Sequence, residues 1–371
     1  MIKVGITGQA GFVGKHLYNT LGLFPDLYTR INFEKSFFED ETLLDKFVSE
    51  CDIIVHLAAV NRHADPSKIY STNIDLAQKL RDSLIRTSVK PHVIFSSSTQ
   101  EERDNPYGNA KKDARNMLSA WASESNAKFT GLIIPNVFGP FGNPYYNSVV
   151  ATFCHQLAHN EEPKIEVDGE LKLIYVSELV DEILKCFNGY GNAQLSINHT
   201  HQIKVSEILK LLKGYKEDYL QLGVIPSFST NFELNLFNTF RCYMDIKNHF
   251  PVHFKKNVDP RGAFVEVIRL NVGGQVSFST TVPGITRGNH FHTRKIERFA
   301  VIKGKALIQL RQIGTNDVMD FYLDGEKPSY VDMPIWFTHN IKNIGEEELY
   351  TIFWINEFYN PEDPDTFMET V

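Results

Sequence analysis

Over the first two thirds of the chain, short apolar runs alternate with longer stretches in which apolar residues recur every three to four positions. This is how a parallel sheet covered by helices reads. A strand buried on both faces needs a continuous apolar run, and its crossover helix needs only an apolar stripe. Strands are predicted over 3–7, 53–58, 92–96 and 128–134, with another around 27–31; helices are predicted over 13–23, 41–50, 72–88 and 111–123. After the Phe- and Asn-rich stretch 227–240 the style changes to short β-branched and aromatic runs cut by Gly, Pro and Asp, among them 263–270, 275–281, 298–302, 305–311 and 348–354. No helical period runs through these segments, so an all-β barrel or sandwich is expected. The division expected is 1–245 for the α/β domain and 246–371 for the β domain, joined without a long Gly/Ser linker.

At 371 residues the chain suits two cores, and 42% hydrophobic with 22% charged residues is the composition of a folded globular protein. A net charge of -7 leaves no basic surplus for a phosphate backbone, so nucleic acid is not an expected partner. No apolar run approaches membrane-spanning length and no secretory leader is visible before Ile2, so neither membrane nor export is expected. Cys51, Cys154, Cys186 and Cys242 are scattered without C-x-x-C spacing, as reduced thiols of a cytoplasmic protein would be.

Gly8, Gly11 and Gly14 follow the first strand and lead into a helix. Gly8 permits a tight turn, Gly11 lets backbone amides approach a pyrophosphate, and Gly14 allows close helix–sheet packing. No Asp or Glu ends the second strand, where an NAD-preferring site places one; Arg30 stands there instead, either to hold a 2′-phosphate, which favours NADPH, or as a solvated surface arginine. Pro106 precedes Tyr107-Gly-Asn-Ala-Lys111 and opens a helix, so the phenol and the ammonium at i and i+4 share one face. The cation is expected to lower the phenol pKa toward that of a working general acid. Ser96-Ser97-Ser98 ends a strand and puts a hydroxyl at the sheet's C-terminal edge.

With His56-Leu57-Ala58-Ala59, Asn73 and Pro135-Asn136-Val137-Phe138-Gly139-Pro140 in the same order, these residues resemble the extended short-chain dehydrogenase/reductases that act on nucleotide-sugars. The resemblance implies a Rossmann-type doubly wound fold with Tyr107 as proton donor, Lys111 on the nicotinamide ribose and Ser98 on the substrate carbonyl. It further implies Asn136 on the sugar-nucleotide, and Phe12, Val13, Leu57, Ala58 and Ala59 beside the coenzyme. Two departures matter. Only eight residues separate Ser98 from Tyr107, and Thr99-Gln100 replaces the Asp-Glu pair of dehydratases. Simple carbonyl reduction is therefore expected rather than loss of water.

In the β domain, Gly284 is followed by His290-Phe-His292, Glu297, Gly304 and, further on, Pro334-Ile-Trp336-Phe-Thr-His339. Residues i and i+2 of a strand face one side, so His290 and His292 can meet one ion with Glu297 beyond a turn and His339 on a neighbouring strand. Three imidazoles and a carboxylate suit zinc, iron, manganese or nickel, with zinc the first expectation. Both halves are similar to the two cupin motifs, with Trp336 where a glycine is frequent. The segments from Asp259 to Glu266 and from Thr286 to Phe291 resemble the cupins that epimerise 4-keto-6-deoxy sugars.

Taken together, the halves resemble the bifunctional reductase–cupin enzymes of capsular polysaccharide synthesis. That implies C3 epimerisation of a UDP-linked 4-keto-6-deoxy-N-acetylhexosamine, a UDP-2-acetamido-2,6-dideoxy-4-hexulose, in the barrel. NADPH reduction at C4 would then give UDP-N-acetyl-6-deoxy-L-talosamine, in a homodimer. Two other readings stand beside it: a sugar-sensing or dimerising cupin, and a 4-epimerase that retains NAD.

Overall fold

The computed structural model describes residues 1–189, 191–260 and 262–371. Arg261, inside the segment from Asp259 to Glu266, lies outside the described residues. Contacts divide the chain into two compact units, Met1–Thr152 with Val167–Val205, and Phe153–Glu166 with Ser206–Val371. Residues 206–245, grouped with the α/β domain by their sequence pattern, cluster with the β unit.

The first unit runs β1 (Ile2–Thr7), α1 (Phe12–Gly22), β2 (Tyr28–Ile31), α2 (Glu41–Glu50), β3 (Ile53–His56), α3 (Pro66–Thr87), β4 (His92–Ser98), α4 (Pro106–Ser125), β5 (Phe129–Ile134), β6 (Asn136–Phe138) and the start of α5 (Val149–Ala158), whose residues from Phe153 on belong to the second unit. It continues through β7 (Glu170–Tyr175), α6 (Val176–Lys185), β8 (Asn192–Ser196) and β9 (His201–Lys204). A six-stranded parallel sheet has the order β2-β1-β3-β4-β5-β8, and β6, β7 and β9 form a small second sheet. The chain leaves β1 to one side for β2 and crosses to the other for β3. The carboxyl ends of β1 and β3 therefore flank the switch point, where α/β sheets bind ligands.

Buried Val4, Ile6, Ile53, Val55, Ile94 and Leu132 build one face of this sheet; Ile54, Val93, Phe95 and Phe129 build the other. Two predicted helices start earlier than their periodicity indicates. Asp65 accepts from Ser67 N (3.0 Å) and Asn105 from Gly108 N (2.8 Å), each capping a helix whose first residue is Pro66 or Pro106.

The second unit continues in α7 (Val205–Tyr215), α8 (Asn231–Arg241) and α9 (Ile246–His249). The Phe-rich stretch is thus largely the helix α8, capped by Thr230 on Glu233 N (3.2 Å) and burying Phe232, Leu236, Phe237 and Phe240. Then come β10 (Val252–His253), β11 (Lys256–Asp259), β12 (Gly262–Val265), β13 (Gln275–Thr281), β14 (Thr286–Phe291), β15 (Glu297–Lys303), β16 (Lys305–Gln312), β17 (Val318–Asp324), β18 (Ser329–Met333), β19 (Phe337–Asn343), β20 (Leu349–Ile355) and β21 (Phe367–Met368). Two five-stranded antiparallel sheets result, β10-β18-β15-β20-β13 and β17-β16-β19-β14-β21.

A buried charge network ties the helical part of this unit to the strands. Arg298 holds Asp332 through Nε (2.7 Å) and Nη2 (2.9 Å), Tyr219 donates its hydroxyl to Asp332 (2.6 Å), and Arg298 Nη1 donates to Gly223 O (3.2 Å). Breaking one member would leave a buried charge uncompensated.

Candidate active site and metal centre

Gly8 has φ +78°, and a Cβ on it would stand 2.8 Å from Ala58 N. A Cβ on Gly14 would lie 2.2 Å from Gly8 O, so α1 packs against the turn only with glycine there. Gly11 is different: its Cβ would meet only Gly8 O, at 3.2 Å, leaving its other side open to a ligand. As N-cap it contributes no side chain, so the first amides of α1 remain free for an anion.

This loop borders a cavity of about 630 Å³. Gly8, Gly11, Phe12, Val13, Leu57 and Ala59 line it on the loop side, and Ser98, Tyr107, Lys111 and Asn136 on the other. Ala58 stands behind, its amide 3.4 Å from Thr7 Oγ1. Arg30 is not brought to the cavity. Its guanidinium stacks 4.4 Å over the Tyr18 ring and donates to Tyr18 O (3.2 Å), against α1. At the end of β2 the loop instead engages Asn32: Gln9 Nε2 donates to Asn32 Oδ1 (2.9 Å) and Gln9 Oε1 accepts from Phe33 N (3.1 Å).

Lys111 Nζ donates to Ser96 O (2.7 Å) and lies 5.8 Å from the Tyr107 ring centre. The expected lowering of the phenol does not follow from this geometry. Burial pushes Tyr107 up to about 12, with Tyr146 adding to it, and burial pulls Lys111 down to about 7 against a weaker pull from Glu101. Glu101 itself is bound by Arg115 (2.9 Å) and by the Ser97 hydroxyl. It is therefore not a free acid beside Ser98, in keeping with the missing Asp-Glu pair. The eight residues before Tyr107 turn directly onto α4, where a Cβ on Gly108 would lie 2.0 Å from Gln100 O. Asn73, beneath the loop after β3, accepts from Val60 N (2.8 Å) and donates to Val60 O (2.7 Å).

In the second unit His290, His292, Glu297 and His339 offer ligand atoms that all lie within 4.8 Å of one another. A register shift between Gly288 and His290 turns the strand so that His290 pairs with His339, while Glu297 comes from β15 of the other sheet. His292 Nε2 lies 3.2 Å and His339 Nε2 3.1 Å from Glu297 Oε2. His292 Nδ1 donates to Asp365 O (2.5 Å) and His339 Nδ1 to Phe337 O (3.2 Å), which leaves each Nε2 lone pair facing the carboxylate. Acceptor atoms converge in this way only around a cation or a shared proton, so the donor set fits a divalent metal. Burial pushes Glu297 up, but positive charge carried by His292 and His339 when protonated, the charge a cation would supply, outweighs it and holds the carboxyl well below its ordinary range. Trp336, where cupins often have glycine, has φ +62° and is held by stacking on Phe291 at 5.5 Å. The left-handed backbone explains the usual glycine.

The NAD dependent epimerase/dehydratase family matches residues 4–195, and the polysaccharide biosynthesis C-terminal domain matches 257–367. The chain belongs to the NAD dependent epimerase/dehydratase family. The second match adds a polysaccharide biosynthesis module to it. A relative from Pseudomonas aeruginosa, UDP-2-acetamido-2,6-beta-L-arabino-hexul-4-ose reductase, is 32% identical over 99% of this chain and 98% of its own. The capsular polysaccharide assembling protein CapF from Staphylococcus aureus matches 100% of both chains at 35% identity and TM-score 0.62. The structure of RMD from Pseudomonas aeruginosa complexed with NADPH, at 18% identity, 58% of this chain, 83% of its own and TM-score 0.53, shares the fold. Among the described residues, no helix is long and apolar enough to cross a membrane.

Proposed function

We propose that the chain is a bifunctional nucleotide-sugar enzyme of capsular polysaccharide synthesis. The β unit epimerises C3 of a UDP-2-acetamido-2,6-dideoxy-4-hexulose, and the α/β unit reduces the C4 ketone to UDP-N-acetyl-6-deoxy-L-talosamine. The observation that carries the reading is the pairing, in one chain, of a Ser98–Tyr107–Lys111 cavity beside a glycine loop with a barrel holding three imidazoles and a carboxylate. The full-length similarity to the hexulos-4-ose reductase supports the substrate class.

When bound, the reduced nicotinamide supplies hydride to C4. Tyr107, protonated at neutral pH, donates its proton to the carbonyl oxygen. Ser98 hydrogen-bonds the same oxygen, Asn136 contacts the sugar-nucleotide, and Lys111 takes the nicotinamide ribose. NADPH is the coenzyme of this reading. No carboxylate ends β2 to repel a 2′-phosphate, and the neutral Gln9–Asn32 pair stands there in place of Arg30. In the barrel, His290, His292, Glu297 and His339 would hold one divalent ion, zinc by preference, which would supply positive charge to stabilise negative charge developing on the ketone oxygen.

The test is a reaction in D2O with UDP-linked 4-keto-6-deoxy-N-acetylhexosamine and NADPH, the product read by NMR. One solvent deuterium at C3 and one equivalent of NADPH consumed per product are expected. Reduction without label at C3 would leave only the reductase half standing.

A further inference from the structure

The residues that shape the metal centre extend beyond the four candidate ligands. The turn 293–296 links His292 to Glu297, and it is tied to a residue some seventy positions later, Asp365. The Asp365 side chain is 3% exposed. Its Oδ1 accepts from Thr293 N (3.0 Å) and Thr293 Oγ1 (2.6 Å), and its Oδ2 accepts from Arg294 N (3.0 Å) and Lys295 N (3.0 Å). The carbonyl of the same residue takes the His292 Nδ1 proton at 2.5 Å. Lys295 Nζ donates to the preceding carbonyl, Pro364 O (2.6 Å).

Asp365 adopts φ +41°, a backbone region that costs a non-glycine residue and persists only where surrounding contacts over-determine it. Four donors on one carboxylate provide that constraint. The following residues are anchored independently. Phe367 pairs with Phe291 and Met368 with His290 on β14, and Arg311 Nη2 holds Glu369 Oε1 (2.9 Å) and Thr370 O (2.6 Å). One short segment thus runs beside the strand that carries His290 and leads into His292, fixes the His292 tautomer, and sets the turn that delivers Glu297.

We propose that Asp365 is a positioning residue for the metal centre: its carboxylate locks the 293–295 amides while its carbonyl aims His292 Nε2 at the ion. The proposal rests on the reading that His290, His292, Glu297 and His339 take a divalent metal. Asp365→Asn is isosteric but turns an NH2 group toward backbone N–H groups that need an acceptor. Thr293→Val removes a single hydrogen bond from the same carboxylate.

Zn2+ affinity is measured on the full chain by competition with a chromophoric chelator, and the d–d absorption of the Co2+-loaded protein reports ligand geometry. Loss of an outer partner of a ligating histidine weakens metal affinity by roughly 10–100-fold. Asp365→Asn keeps the carbonyl but loosens the turn that places it and Glu297, so a loss near the lower end, about tenfold, is expected with a shifted Co2+ band. Thr293→Val should show a smaller loss in the same direction. Wild-type Zn2+ affinity and an unchanged Co2+ spectrum in a folded Asp365→Asn would overturn the proposal. If that variant does not fold, Thr293→Val decides on the same two readouts, and no change in either overturns it. A wild-type protein that takes up neither ion defeats the metal reading itself, a separate outcome.

Discussion

In the cavity beside the glycine loop, burial pushes Tyr107 up to about 12 and pulls Lys111 down to about 7, so the phenol is neutral and the amine carries only part of its ordinary charge at neutral pH. In the barrel, Glu297 stays charged against burial through positive charge beside it, from a cation or from protons on the imidazole nitrogens 3.2 and 3.1 Å away. The first centre presents an open helix N-terminus and weakly charged side chains, which suit a ligand carrying phosphate and carbonyl. The second gathers its donors with their outer partners already in place, as a site for a cation must. Preorganisation thus resides in backbone amides in one unit and in side-chain hydrogen bonds in the other.

The comparison breaks most sharply at Tyr107. Tyr107→Phe should lower C4 reduction by roughly 10²–10⁴-fold, the range for loss of a general acid, and leave metal uptake unchanged. NADPH oxidation rate and metal content on one preparation check this; a smaller loss would assign the proton to another group.

The backbone character of the first centre predicts a contrast between two glycines. Gly14→Ala drives a Cβ into Gly8 O at 2.2 Å, and overpacking of this kind costs about 1–3 kcal/mol, so coenzyme affinity should fall about tenfold or more with a lower Tm. Gly11→Ala meets only a 3.2 Å contact and should weaken coenzyme binding with Tm near wild type. Equal melting temperatures for the two variants would mean that Gly14 is not needed for packing.

The weak charge of that centre can be read from pH. Lys111 titrates near 7 when folded and at its ordinary 10.5 when unfolded. Between these values the unfolded chain binds a proton that the folded chain does not, so this residue's contribution to stability climbs with pH from about 7 and is flat below. Lys111→Met should remove that climb from the coenzyme-free protein, measured by denaturant unfolding across the window. An unchanged slope would show that Lys111 stays charged in the cavity.

The smallest effect is expected at Arg30. With its guanidinium on Tyr18, Arg30→Ala should alter the NADPH over NADH ratio of kcat/KM by less than about twofold, as surface changes away from a site do. A tenfold loss of preference would return Arg30 to the coenzyme.

Residues whose chemistry depends on local spacing were legible in the chain. The glycine triplet, the Tyr107–Lys111 pair and the His290, His292, Glu297 and His339 set all come together at one cavity or one cluster. Contacts that depend on long-range closure were not. Asp365 reaches the turn at 293–295 only because β21 pairs with β14, and nothing in the residues around it marks that pairing. Arg30 misled because strand position alone does not say which way a long side chain turns, and Tyr18 offered both a ring and a carbonyl. The helix α8 escaped because phenylalanine and asparagine are modest helix formers, and packing of its aromatic face outweighed that preference.

The division of labour between the two units is tested most directly by holding the 4-keto substrate in D2O without NADPH and then adding it, using wild type, His290→Ala and Tyr107→Phe. The account predicts C3 deuterium exchange in wild type and Tyr107→Phe but not in His290→Ala, and NADPH oxidation with ketone already epimerised at C3 retained in His290→Ala but lost in Tyr107→Phe. Exchange that survives in His290→Ala, or disappears in Tyr107→Phe, would contradict it.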